Sequence, residues 1–139
     1  MLYHKCKCGL LIPIDKKLCS DCYKKRSNKY SKTYKIRRTD IKEQKFYVSK
    51  PWFRVRDKIR TRDNKLCLMC LAEHRITQVE CIHHIIELKE DWNLRFNNNN
   101  LISLCKEHHS KVHRSYEEDD KTKLDTQNYL RELINNKFK

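Results

Sequence analysis

The chain has 139 residues, 36% charged and 38% hydrophobic, with a mean hydropathy of −0.94. That length serves one modest domain plus an appendage, and so polar a composition excludes two large cores and any membrane span. The net charge of +14 lies wholly in the first half: residues 1–66 carry 21 Lys+Arg against 6 Asp+Glu, and residues 67–139 carry 11 against 12. A basic half of this kind points to a polyanion, most simply nucleic acid held by counterion release, and away from a small-molecule substrate.

In chain order, residues 4–22 (HKCKCGLLIPIDKKLCSDC) read as a miniature zinc-binding unit. Gly9, the only glycine, follows Cys8 where the backbone must take a positive φ. Leu10–Ile12 is expected as a short strand and Asp15–Lys17 as the turn before the second cysteine pair. Tyr23 to Lys45 reads as a basic linker, partly helical or disordered, with Tyr30 and Tyr34 interleaved. Pro51 suits a first helical turn, and Trp52, Val55 and Ile59 then share one apolar face. Asp63–Lys65 makes a turn, 76–86 (ITQVECIHHII) favours strands, and Glu87 to Asn99 is a polar connection. Leu101–Leu104 leads through Cys105 into a helix over 106–116, and an acidic patch precedes a second helix over 121–136 with Leu124, Leu130, Leu133 and Ile134 inward. These readings divide the chain into 1–45, 46–116 and 117–139.

Six of the eight cysteines stand as close pairs, Cys6/Cys8, Cys19/Cys22 and Cys67/Cys70. Two thiolates in one tight turn can grip one ion, which favours metal ligation in a reducing compartment over a disulfide framework. No apolar segment follows Met1-Leu2-Tyr3-His4-Lys5, so no secretory leader argues for oxidation, and the expected location is cytoplasmic. Cys6, Cys8, Cys19 and Cys22 form one zinc set, with His4 as a substitute for a cysteine. Cys67, Cys70, Cys105 and His108 form a second; Cys81 is its rival fourth ligand but reads better as a buried free thiol.

The ordered run C-L-M-C, C-I-H-H-I-I and N-N-L-I-S-L-C-K-E-H-H-S-K-V-H resembles the HNH endonuclease family over residues 46–114. The segment FYVSKPWFRVRDKIRTRD and the N-terminal cysteine pairs extend the likeness to HNH proteins of tailed phages and prophages. The resemblance implies a small zinc-stabilised α+β fold: a ββα-metal nuclease core with an N-terminal zinc-ribbon-like appendage and flanking helices. It implies His84 as general base, Asn100 as the residue that ties the loop to the hairpin at the His84 backbone, and His83, His109 and His113 as holders of a working divalent metal. It also implies DNA as substrate, and a terminase as partner in DNA packaging within a host cytoplasm.

The chemistry agrees. Phosphodiester hydrolysis needs a deprotonated water and a cation to absorb phosphate charge, and a neutral histidine (pKa ~6.5 when unperturbed) accepts that proton near pH 7. His109 and His113, four residues apart on one helical face, can reach one ion. Adjacent strand residues point to opposite faces, so His83 and His84 would need a local distortion to serve one site. Three imidazoles favour zinc or nickel by softness, whereas the family commonly works with magnesium or manganese. The competing reading is a zinc-dependent nucleic-acid-binding or packaging adaptor without catalysis.

Overall fold

The computed structural model describes residues 2–136, less the side chains of 36 and 37. Residues 1 and 137–139, part of the expected 1–45 and 117–139 segments, lie outside the described residues. The chain forms two compact units, Met1–Ile41 and Lys42–Lys139.

In the first unit, strands β1 (Tyr3–Lys5) and β2 (Leu11–Pro13) pair antiparallel with His4 opposite Ile12. Gly9 takes φ +91° in the tight connection, a left-handed conformation that costs a glycine little. Cys19 caps helix α1 (Ser20–Arg37), its sulfur accepting from the Cys22 N–H at 3.4 Å. The buried core here is only Cys6, Ile12 and Cys19, with Leu18 and Cys22 against it.

The second unit begins with helices α2 (Ile41–Tyr47) and α3 (Lys50–Arg62). Ser49 caps α3, accepting from the Trp52 N–H at 3.3 Å, and Pro51 sits in its first turn as expected. Trp52 and Ile59 are buried along the apolar stripe. The chain reverses through Asn64 and Lys65, both at positive φ, into the short helix α4 (Leu68–Ala72). The expected strand region over 76–86 narrows to β3 (Cys81–His84). The residues before it bind elsewhere: Cys67 N–H donates to the Thr77 carbonyl and Val79 N–H to the Lys65 carbonyl, each at 2.9 Å.

After two 3-10 turns (Trp92–Phe96 and Asn98–Asn100), β4 (Leu101–Leu104) pairs antiparallel with β3, His83 opposite Ile102 and His84 opposite Leu101. Cys105 caps helix α5 (Lys106–Glu118), and α6 (Asp120–Asn136) follows. The hairpin is buried on both sides. Ile82 and Leu101 pack with Phe46, Trp52, Ile59 and Leu88; Ile102 and Leu104 pack with Val112, Leu130 and the Cys67 set. Each buried Leu or Ile contributes about 1.5–3 kcal/mol of transfer free energy. Leu130 is buried as expected and Leu133 and Ile134 lean on the same core, but Leu124 is 54% exposed. Gln127 takes an inward position instead, donating to the Ile85 carbonyl at 3.1 Å. Among the described residues no helix is long and apolar enough to cross a membrane.

Candidate metal centres and active site

Three groups of donor atoms converge, each with its members within 4.8 Å of one another. The first is Cys6, Cys8, Cys19 and Cys22. Cys8 and Cys19 sulfurs lie 3.6 Å apart, and the Cys19 N–H donates to the Cys6 sulfur at 3.3 Å. Backbone N–H bonds from Cys19 and Cys8 pull the Cys6 thiol down to about 6, toward the thiolate a metal needs. His4 stands apart from this group, its Nε2 2.7 Å from the Lys16 carbonyl.

The second is Cys67, Cys70, Cys105 and His108, all buried. His108 Nδ1 lies 3.5, 3.3 and 3.4 Å from the sulfurs of Cys67, Cys70 and Cys105, and Cys70 and Cys105 sulfurs are 3.8 Å apart. Tetrahedral zinc, with Zn–S of about 2.3 Å and Zn–N of about 2.0 Å, spaces its ligand atoms roughly 3.4–3.8 Å apart, so both the distances and the donor chemistry fit. Burial raises the Cys67 thiol to about 12, so apolar surroundings alone would not leave it ionised. On the far side of His108, Nε2 sits 3.2 Å from the Glu73 carboxylate, which orients the ring so that Nδ1 faces the sulfurs. Glu73 is held in turn by Arg75. Cys81 is outside the group and half-buried, its thiol 3.5 Å from the Leu104 carbonyl.

The third group is His83, His109 and His113. The Nε2 atoms of His109 and His113 face each other at 3.1 Å, an arrangement that one cation accepting both lone pairs satisfies. The His83 ring meets those of His109 and His113 at centroid distances of 5.4 and 5.1 Å. Burial, then the neighbouring His113, His109 and His84, depress His83 to about 3. His109 is lowered by burial and by His113. Behind His113, Glu87 Oε1 lies 3.9 Å from Nδ1 and also pairs with Lys123. Tyr116 stands 3.5 Å from His83 Nε2 and donates to the Ile85 carbonyl at 2.8 Å.

His84 points the other way, as the pleat of an undistorted strand dictates. Its ring stacks on Trp52 at 5.1 Å and 22°, with Phe46 edge-on at 5.7 Å. Nε2 lies 3.1 Å from the Arg95 carbonyl, which can only accept, so Nε2 carries the proton and Nδ1 is left as acceptor. Burial lowers the His84 pKa, and the bond to Arg95 offsets part of this. Tyr47 hydroxyl lies 3.4 Å from Nδ1. Asn100, also buried, binds the backbone two residues beyond His84: Oδ1 accepts from Ile86 N–H at 2.7 Å, and Nδ2 donates to the Ile86 carbonyl at 3.0 Å. The expected tie of loop to hairpin is therefore made at Ile86, and His84 is aimed by Arg95 and Trp52.

Sequence reasoning missed Glu73, Tyr47, Tyr116, Glu87 and the Phe46 ring beside His84. None carries a spacing signal; each becomes visible only when segments distant in the chain close on one another.

No family model matches the sequence. A probable HNH endonuclease of Lactococcus phage SK1 is 38% identical over 80 residues, spanning 55% of this chain and 83% of that protein. The crystal structure of the HNH endonuclease of deep-sea thermophilic bacteriophage GVE2, with manganese ion, aligns at a TM-score of 0.50 and 30% identity over 70% of this chain and 94% of that one. With the hairpin-and-helix core, the paired histidines on β3 and those two relatives in view, the chain belongs to the HNH endonuclease family of phosphodiester-cleaving hydrolases.

Proposed function

We propose that the protein hydrolyses DNA phosphodiester bonds, with His84 as general base and His83, His109 and His113 holding the working divalent metal. The observation that carries this reading is the three-imidazole donor set of His83, His109 and His113, next in the chain to a His84 whose Nε2 bonds the Arg95 carbonyl and leaves Nδ1 free to accept. Because the strand is undistorted, β3 must twist on substrate binding for both to serve one phosphate. A non-catalytic adaptor has no use for that free acceptor. His84 Nδ1 takes the proton of the attacking water, while the Arg95 carbonyl holds the ring and steadies the imidazolium that forms. Asn100 fixes the chain leaving β3 by gripping both polar groups of Ile86. Tyr47, beside the acceptor nitrogen, positions the water. A bound divalent cation supplies Lewis acidity toward the phosphate and the leaving oxygen. The imidazole set suits zinc or nickel by softness, and the manganese of the GVE2 relative supports manganese as a further candidate.

Zinc is the fitting ion for Cys67, Cys70, Cys105 and His108 and for Cys6, Cys8, Cys19 and Cys22, where its role is structural. A link to DNA packaging, with a terminase as partner, is the matching proposal for biological role and rests on the phage origin of both relatives.

The test is plasmid cleavage with added magnesium, manganese, nickel or zinc. The parent should cut, and His84→Ala should lose about 100-fold or more in rate while still binding metal. Equal rates in the two proteins, or no cutting by the parent with any of these metals, would sink the assignment.

A further inference from the structure

Helix α1 takes no part in the chemistry above. From Tyr23 to Lys35 every residue is exposed. Lys24, Lys25, Arg26, Lys29, Lys32 and Lys35 answer a lone acid, Asp21. A helical stretch like Tyr23–Lys35, with no packed face and one sign of charge, is marginal alone, because stability in proteins comes chiefly from burying an apolar stripe. A polyanion would relieve its self-repulsion.

The same helix carries Tyr23, Tyr30 and Tyr34, exposed at 67%, 66% and 64%. Spaced by seven and four residues, the rings fall within roughly 40° of arc and about 16 Å of axis, forming one row. Arg26 lies over the Tyr30 ring at 5.7 Å and Arg38 over Tyr34 at 5.2 Å. Two grooves run beside the row and share Tyr30 and Arg26: one is completed by Tyr23 and Ser27, the other includes Lys7, Lys25 and Lys29.

Phosphates need cations and have no use for exposed rings. A row of rings among cations suits an unpaired strand, whose bases can stack on aromatics while its phosphates meet Lys and Arg. Duplex DNA hides its base faces, so it could use the tyrosine hydroxyls on its phosphates but not the ring faces. We propose that the tyrosine row of α1 is a single-stranded nucleic-acid-binding surface, separate from the catalytic residues. The assignment does not rest on the catalytic reading and would stand in a protein that cuts nothing.

The test is fluorescence anisotropy of a labelled 20-nucleotide poly-dT strand and of a 20-base-pair duplex, with full-length, zinc-loaded protein carrying His84→Ala. Gels confirm that the probes stay intact, and circular dichroism confirms that helix content is kept. Tyr23, Tyr30 and Tyr34 changed together to Ala should weaken poly-dT binding at least about tenfold and leave the duplex within about twofold. The triple Phe variant should bind as the parent, and the triple Leu variant should fail like Ala. Lys25, Arg26 and Lys29 changed to Gln should weaken both probes and flatten the salt dependence, by a slope of about 2 for the single strand. The assignment is overturned if the Ala or Leu triple binds poly-dT like the parent, or if both probes weaken equally. It is likewise overturned if the tyrosines change only sedimentation, which would make the row a contact between copies of the chain.

Discussion

The two cysteine-based metal sets use similar donors in opposite surroundings. Cys67, Cys70, Cys105 and His108 are all buried and share a core with Ile85, Ile102, Leu104, Val112 and Leu130. Among the described residues, Cys6, Cys8, Cys19 and Cys22 have only Ile12 and Leu18 for apolar company, and Cys8 is exposed. In the larger unit the donors tie α4 to the start of α5 inside an existing core. In the smaller unit they are nearly the whole core, so the ion would replace apolar burial outright.

The largest expected effect breaks the smaller unit. Cys19→Ala should abolish its folding, since structural zinc binding is worth on the order of 10 kcal/mol in small metal domains. Loss of hydrogen-exchange protection confined to residues 2–41 would show this, and persistent protection there would refute it. Next, Leu130→Ala should cost the larger unit about 2–5 kcal/mol in chemical denaturation, because Leu130 is fully buried. A cost below about 1 kcal/mol would mean that the metal set alone carries the unit.

Smaller is the contribution of Glu73. Glu73→Gln should weaken zinc retention by about tenfold in chelator competition, the low end expected for an outer carboxylate because Glu73 is itself exposed. Unchanged retention would leave the His108 ring oriented by packing alone. The smallest effect contrasts the thiolate sets with the histidine set. Burial and neighbouring rings hold His83 and His109 below the ordinary histidine range. Protons therefore compete weakly for them, and affinity should survive as pH falls past about 6.5 and be lost only further down. Free-manganese resonance at pH 7.5 and 6.0 should show less than about a tenfold loss of affinity, whereas a loss of about fiftyfold, that of three ordinary imidazoles, would mean that His83 and His109 titrate as exposed histidines do.

Spacing grouped the cysteines, and the resemblance to HNH proteins grouped His83 with His109 and His113. The paired cysteines, the His83-His84 doublet and the i, i+4 pair on α5 are local patterns, and each donor group formed from them converges in the structure. What was illegible depends on closure across the chain. Glu73 meets His108 across 35 positions, and Tyr116 and Gln127 reach the Ile85 carbonyl from two different helices. Leu124 shows the limit of periodicity: a helix of mixed polarity offers more than one plausible apolar stripe, and tertiary packing chose the one that includes Gln127. Asn100 was expected to hold the His84 backbone; in the structure its amide bonds the Ile86 backbone, a registry set by turn geometry that residue types do not specify.

His108 and His109 are consecutive on α5, one among the buried sulfurs and the other among the imidazoles. The helix thus acts as a rigid ruler between the two donor sets, and were both to hold ions, a shift at one end would be carried to the other.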